Sequence, residues 1–140
     1  MRLRNVILAS HGGLCEGMKD SLRMIAGEEI VKDVRTYSLH PGENAIEFAQ
    51  ELKREIESHP EEEYIVITDV LGGSVHTSML QILGNKNIKL FTGMNLAMTL
   101  EIVTSTEVME GRENHYLEVG RNGIMFTENI DLLNTESEDF

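Results

Sequence analysis

The sequence predicts an α/β protein, a three-layer α/β/α sandwich around a mainly parallel sheet. Two observations predict it. Short apolar, partly β-branched segments alternate along the chain with segments whose apolar residues recur at helical spacing. Strand–helix–strand alternation of this kind makes right-handed βαβ units, which place helices on both faces of a parallel sheet. At 140 residues with a 41% hydrophobic fraction, the chain fits one domain with one core.

The elements follow in order. "NVILAS" (5–10) reads as the first strand. Met18, Leu22 and Ile25 then fall at i, i+4, i+7 and make a helix stripe. "VKDVRTYSL" (31–39) is the second strand. After the Pro41-Gly42 turn, Asn44 with Glu47 three residues on reads as a capping box. The helix it starts has the stripe Ala45, Phe48, Ala49, Leu52 and Ile56. "YIVITDV" (64–70) is the third strand, and Val75, Met79 and Leu83 mark the helix after it. "IKLFTG" (88–93) is the fourth strand, followed by a helix with Leu96, Leu100 and Val103 on one side. "STEVMEGRENHYLEVGRNG" reads as a further helix. Asn122-Gly123 then suits a turn into "IMFTE", a short apolar strand near 123–127. The methionines on these stripes are core filler. One domain thus spans 1–127. Residues 128–140, with Glu128, Asp131, Glu136, Glu138 and Asp139 and no basic residue, read as a solvated acidic tail.

Charge and composition exclude several classes. With 24 acidic against 12 basic residues, the net charge is −12. A nucleic-acid binder needs a basic face to displace counterions, and an anionic membrane surface asks for the same sign. No apolar run approaches the ~20 residues of a membrane span. The two N-terminal arginines precede an apolar stretch too short for a signal peptide. A single cysteine, Cys15, excludes an internal disulfide framework, and a reducing cytoplasm is the expected location.

In parallel α/β sheets, ligands bind off the carboxyl ends of the strands where strand order reverses. With order 2-1-3-4, the first and third strands flank that point. The first ends in "SHGG" and the third in "TDVLGGS", which sets His11 beside Asp69. A carboxylate that accepts one ring N–H fixes the tautomer and leaves the other nitrogen's lone pair outward. A strand-end histidine next to an unrelated aspartate fits the same spacing. The glycines favour the functional pairing. Gly72 and Gly73 precede Ser74 and a helix start, where unpaired amides form an anion cradle to which the serine hydroxyl adds a donor. Gly12 and Gly13 keep the space around His11 clear. A nucleophilic nitrogen beside an anion cradle is suited to hold a phosphoryl group. The pattern is not a P-loop, since no Gly-Lys-Ser/Thr follows.

Cys15 reads as a small apolar packer. His40 and His76 could join His11 and Asp69 around a zinc ion, but no two histidines have helical HxxxH spacing. His59 and His115 read as surface residues. No metal or organic cofactor is implied.

With "SHG" at His11, "PGEN" at 41–44, "D-x-x-GGS" at 69–74, "GMN" at 93–95 and "GRNGI" at 120–124, the chain resembles the IIA components of the mannose family of the bacterial phosphoenolpyruvate-dependent sugar phosphotransferase system. The resemblance covers residues 5–127. It implies a phosphotransferase with a phosphohistidine intermediate. The phosphocarrier protein HPr would be the donor and a IIB component the acceptor. It places the acceptor on His11, the partnering aspartate on Asp69 and a phosphate-contacting serine on Ser74; from the glycine pattern itself, Gly12, Gly72 and Gly73 read as phosphate-binding beside Ser74. It also implies a homodimer in which the strand near 123–127 pairs antiparallel with the partner's sheet. The sequence departs from the family at Leu71, where members often carry an aromatic, at Val75, where many have proline, and at His76, where neutral polar or apolar residues are common. These positions border the docking rim and bear on partner and sugar. The alternatives are a carrier for dihydroxyacetone phosphorylation, a non-catalytic regulatory module of the same fold, and a metal hydrolase.

Overall fold

The computed structural model describes residues 3–128. Four strands, β1 (Arg4–His11), β2 (Arg35–Leu39), β3 (Glu63–Thr68) and β4 (Ile88–Thr92), form one parallel sheet in the order β2-β1-β3-β4. Six α-helices accompany them among the described residues: α1 (Leu14–Ala26), α2 (Glu28–Val31), α3 (Ile46–Ser58), α4 (Ser74–Met79), α5 (Leu96–Thr104) and α6 (Glu113–Asn122).

Alternation along the strands divides the core in two, because successive side chains point to opposite faces. Val6 and Leu8 of β1 and Ile65 and Ile67 of β3 pack with Leu22, Met98, Ile102 and Tyr116 from α1, α5 and α6. Ile7 and Ala9, with Tyr64 and Val66, face Leu52, Ile56, Val75 and Met79 from α3 and α4. All six residues of β3 are buried, as expected of a central strand covered on both faces.

Several local expectations are corrected. The second strand begins at Arg35, not at residue 31. Residues 28–31 form the short helix α2 after Gly27, whose φ of +93° turns the chain out of α1. Val31 and Val34 still reach the core, but at helix-turn spacing. The capping box is absent. α3 starts at Ile46 with Ala45 at its N-cap, and Asn44 Oδ1 accepts the Ile46 N–H (3.1 Å) in a local turn. After α4 the chain tightens into a 3₁₀ turn over Leu80–Ile82. That turn buries Ile82 and leaves Leu83 exposed, because i+3 rather than i+4 faces inward. Residues 124–128 form no strand within the single chain. Ile124, Met125 and Phe126 are exposed, and β4 ends the sheet. Of the acidic tail over 128–140, only Glu128 lies within the described residues.

At the amino end of the sheet, Arg4 of β1 and Glu63 of β3 are register partners and a mostly buried ion pair (Nε to Oε1, 2.6 Å). The guanidinium also donates to the carbonyls of Ile102 (3.2 Å), Ser105 (3.1 Å) and Glu107. Glu63 Oε2 accepts the Met109 N–H (2.8 Å). One charge pair thereby fixes the whole connection from α5 to α6 and joins the two central strands far from their carboxyl ends.

Candidate functional site

β1 delivers His11 as its last residue, and Gly12 (φ +53°) turns the backbone away at once. That turn is fastened on two sides. Gly12 N–H donates to the Leu39 carbonyl (2.7 Å), and Ser10 Oγ donates to the Gly12 carbonyl (3.1 Å) while accepting the Cys15 N–H (2.9 Å). The imidazole stands at the carboxyl edge of the sheet with half its surface exposed (51%).

Asp69 follows β3 directly, on the strand adjacent to β1, with a side chain only 4% exposed. Its Oδ2 accepts both the backbone N–H of His11 (2.7 Å) and the ring Nδ1–H (2.8 Å), and Oδ1 accepts the Val70 N–H (2.9 Å). Burial acts to raise the carboxyl pKa, but the hydrogen bonds from His11 and Val70 outweigh it and hold the group below its ordinary value. Asp69 is therefore ionised throughout the neutral range. An ionised carboxylate only accepts, so the proton sits on Nδ1 and the lone pair on Nε2. Ser74 Oγ lies 3.1 Å from Nε2 and donates to that lone pair.

Between Asp69 and Ser74 the chain makes a tight turn. Gly73 N–H donates to the Val70 carbonyl (3.1 Å), and Gly72 takes the third position with φ +77°, as a type II turn requires. Gly73 has an ordinary φ and is needed for space. A Cβ there would stand 3.3 Å from His11 Cε1 and 3.3 Å from the Val70 carbonyl oxygen. α4 then begins at Ser74. Its first i→i−4 bond is Thr77 N–H to the Gly73 carbonyl (2.9 Å), so the Ser74, Val75 and His76 amides precede it.

The residues singled out in the sequence thus converge, with one difference in their chemistry. The amides of Gly12, Gly72 and Gly73 already have protein acceptors: the Leu39 carbonyl, His76 Nδ1 (3.1 Å) and the Val70 carbonyl. The glycines supply turns and clearance, and the amides ahead of the first helical bond belong to Ser74 and its successors. Cys15 is fully buried, with Sγ 3.4 Å from the Tyr37 carbonyl and 3.3 Å from Ser38 Oγ. His40 lies in the exposed turn after β2, where its N–H donates to Glu43 Oε1 (2.8 Å). Among the described residues no three His, Cys, Asp or Glu are grouped to hold a metal, and no helix is long and apolar enough to cross a membrane. His76, whose role the sequence left open, touches the turn itself. An imidazole accepting an amide four residues upstream leaves no hydropathy signal.

The fold and this edge define a parallel α/β protein with an imidazole, a carboxylate and a hydroxyl in line at the carboxyl ends of its two central strands. The profile of the EIIA-man family, PTS system fructose IIA component, matches residues 5–115, and the chain belongs to that family. It is a IIA component of the mannose family, a phosphotransfer component of the sugar phosphotransferase system. It is similar to the PTS system sorbose-specific EIIA component of Klebsiella pneumoniae, with 29% identity over 106 residues that cover 75% of this chain and 76% of the relative. Among solved structures it is similar to the PTS IIA protein associated with the fucose utilization operon from Streptococcus pneumoniae (27% identity, TM-score 0.75, covering 96% of this chain and 98% of that one). It is also similar to phosphotransferase system component EIIA from Streptococcus agalactiae (27% identity, TM-score 0.71, covering 89% and 97%).

Proposed function

We propose that the chain carries a phosphoryl group on Nε2 of His11, received from phosphorylated HPr and passed to a IIB component. The observation that carries this reading is the 2.8 Å contact between His11 Nδ1 and Asp69, which commits the exposed Nε2 to hold a lone pair. In the forward step that lone pair attacks the phosphorus of the donor phosphohistidine. A new N–P bond forms, the donor's N–P bond breaks, and its electron pair returns to the donor imidazole. Nδ1 keeps its proton, and Asp69 stabilises the positive character the ring acquires. The Ser74 hydroxyl, which donates to Nε2 in the free protein, turns to a phosphoryl oxygen once that lone pair is used. The amides that open α4 are placed to add further donors. Transfer to IIB repeats the exchange in the opposite sense, with His11 as leaving group. The sorbose-specific and fucose-operon relatives favour sugar uptake over dihydroxyacetone phosphorylation.

Replacement of Asp69 tests the reading. A hydrogen bond to a charged group contributes about 1.5–3 kcal/mol. Losing it in the transition state slows transfer by roughly one to two decades. Asp69→Ala is expected to fold and to accept phosphate from HPr about 10- to 100-fold more slowly in single-turnover quench experiments. A wild-type rate would remove Asp69 from the reaction.

A second proposal concerns assembly. The outer edge of β4 has no partner among the described residues, and Ile124, Met125 and Phe126 next to the end of α6 are exposed. Unpaired edges and adjacent apolar segments are complementary, and exchange between two copies satisfies both. We propose a homodimer in which residues 123–127 pair antiparallel with the partner's β4. Removing residues 124–140 leaves α6 intact and is expected to give a monomer or an aggregating species. A truncated chain that remains a stable dimer by light scattering would overturn the exchange.

A further inference from the structure

We propose that His76 is a positioning residue for phosphoryl transfer. By accepting the Gly72 N–H on Nδ1, it sets the turn that places Asp69 and Ser74 around the His11 imidazole. The inference rests on His11 being the phosphoryl acceptor.

The turn over residues 70–73 is the whole connection between Asp69, which orients His11, and Ser74, which meets Nε2. Two of its residues are adjacent glycines, the most conformationally free dipeptide a chain can contain. A displacement there would move Ser74 Oγ from its 3.1 Å contact with Nε2 and shift Gly73 beside His11 Cε1, where even a Cβ would come to 3.3 Å. The turn's own bond from Gly73 N–H to the Val70 carbonyl (3.1 Å) is joined by two contacts from the first turn of α4. His76 Nδ1 accepts the Gly72 N–H at 3.1 Å, and Thr77 Oγ1 donates to the Gly72 carbonyl at 3.4 Å. The first contact is of ordinary length and the second is long, so of the two side chains His76 supplies the stronger restraint.

The contact also fixes a tautomer. A backbone amide only donates, so His76 Nδ1 holds a lone pair and the ring proton is on Nε2. His11 has the opposite arrangement, Nδ1 protonated and Nε2 free, because its partner is a carboxylate. The tautomers of the two imidazoles are thus set by what each Nδ1 faces. His11 is oriented to react and His76 to receive.

Three variants separate the Nδ1 acceptor from the bulk of the ring. In His76→Asn, the side-chain oxygen occupies the place of Nδ1. In His76→Gln, the polar atoms reach the place of Nε2, and His76→Ala has neither. Loss of a neutral hydrogen bond corresponds to about a three- to tenfold loss in rate. His76→Ala and His76→Gln are expected to lower the maximal single-turnover rate of transfer from phosphorylated HPr by about that factor, with the half-saturating HPr concentration little changed. His76→Asn is expected to restore most of it. In parallel, the Gly72 amide resonance in ¹⁵N-correlated NMR spectra of the unphosphorylated protein should shift in the Ala and Gln variants and stay near its wild-type position in the Asn variant. A wild-type rate for His76→Ala, or equal impairment of Asn and Gln variants, overturns the proposal. If the wild-type protein takes no phosphate on His11, the acceptor assignment falls instead. The Gly72 resonance, read without phosphate, then still reports whether His76 holds the turn.

Discussion

His11→Ala is expected to fold normally and to accept no phosphate from phosphoenolpyruvate through the general coupling proteins and HPr. The substitution costs little stability for a structural reason. The His11 side chain is half exposed, and its backbone N–H, which donates to Asp69 Oδ2 at 2.7 Å, is untouched. The loss of transfer is complete because no neighbour can replace the nucleophile. Cys15 is fully buried and its sulfur points at Tyr37 and Ser38. Ser74 loses the only ring nitrogen it contacts, and with it any base to activate the hydroxyl. Radiolabel incorporation alongside a thermal melt checks both halves of the statement. A regulatory module that only bound its partners would keep binding them after this substitution, so co-elution with HPr or IIB and loss of labelling together separate the carrier from that alternative. Residual label on Ser74 or Cys15 in the variant would contradict the assignment.

The largest expected effect on stability lies at the opposite end of the sheet. Glu63→Ala removes the partner of Arg4 and the acceptor of the Met109 N–H in one step. Breaking a buried ion pair from one side costs about 3–5 kcal/mol, because the remaining charge keeps its desolvation and loses its compensation. Arg4 retains three carbonyl acceptors and a little solvent (16% exposed), which places the expected loss at about 3 kcal/mol. For a domain of this size, that is a melting point lower by roughly 10 °C. Glu63→Gln keeps an acceptor for Met109 and is expected to lose less. Because the pair is separated from His11 by the length of β1, the transfer rate of the folded Glu63→Ala protein at low temperature should match wild type. Urea midpoints measured for both variants check the ranking, and an unchanged midpoint for Glu63→Ala would show that the pair is not a net stabiliser.

The central features of the site were legible because they depend on strand ends. β1 and β3 are marked by short continuous apolar runs that stop at His11 and Asp69, and placing them side by side needed only the strand order of a reversing parallel sheet. What was not legible depends on short-range geometry. α2 has four residues, too few to show a helical period, and its Val31, with Val34 just beyond it, fits a strand run equally well. Asn44 has the chemistry of both an N-cap and a local turn, and the helix start two residues later decided between them. The glycine amides read as phosphate donors because a sequence shows where an amide is and not what it already bonds. Leu39 and Val70 carbonyls and His76 Nδ1 take them. His76 itself acts across one helical turn onto a backbone N–H, a contact for which no residue spacing is diagnostic. The segment 124–127 has strand composition but, within one chain, no edge to which it is joined.

The proposed transfer makes Nε2 of His11, left free by Asp69, the reacting nitrogen. Phosphorylation of the uniformly ¹⁵N-labelled protein, followed by NMR of the imidazole nitrogens, tests it without mutation. The expected spectrum shows ¹⁵N–³¹P coupling at His11 Nε2, with Nδ1 still protonated and bonded to Asp69. Coupling at Nδ1, or phosphate on any residue other than His11, would contradict it.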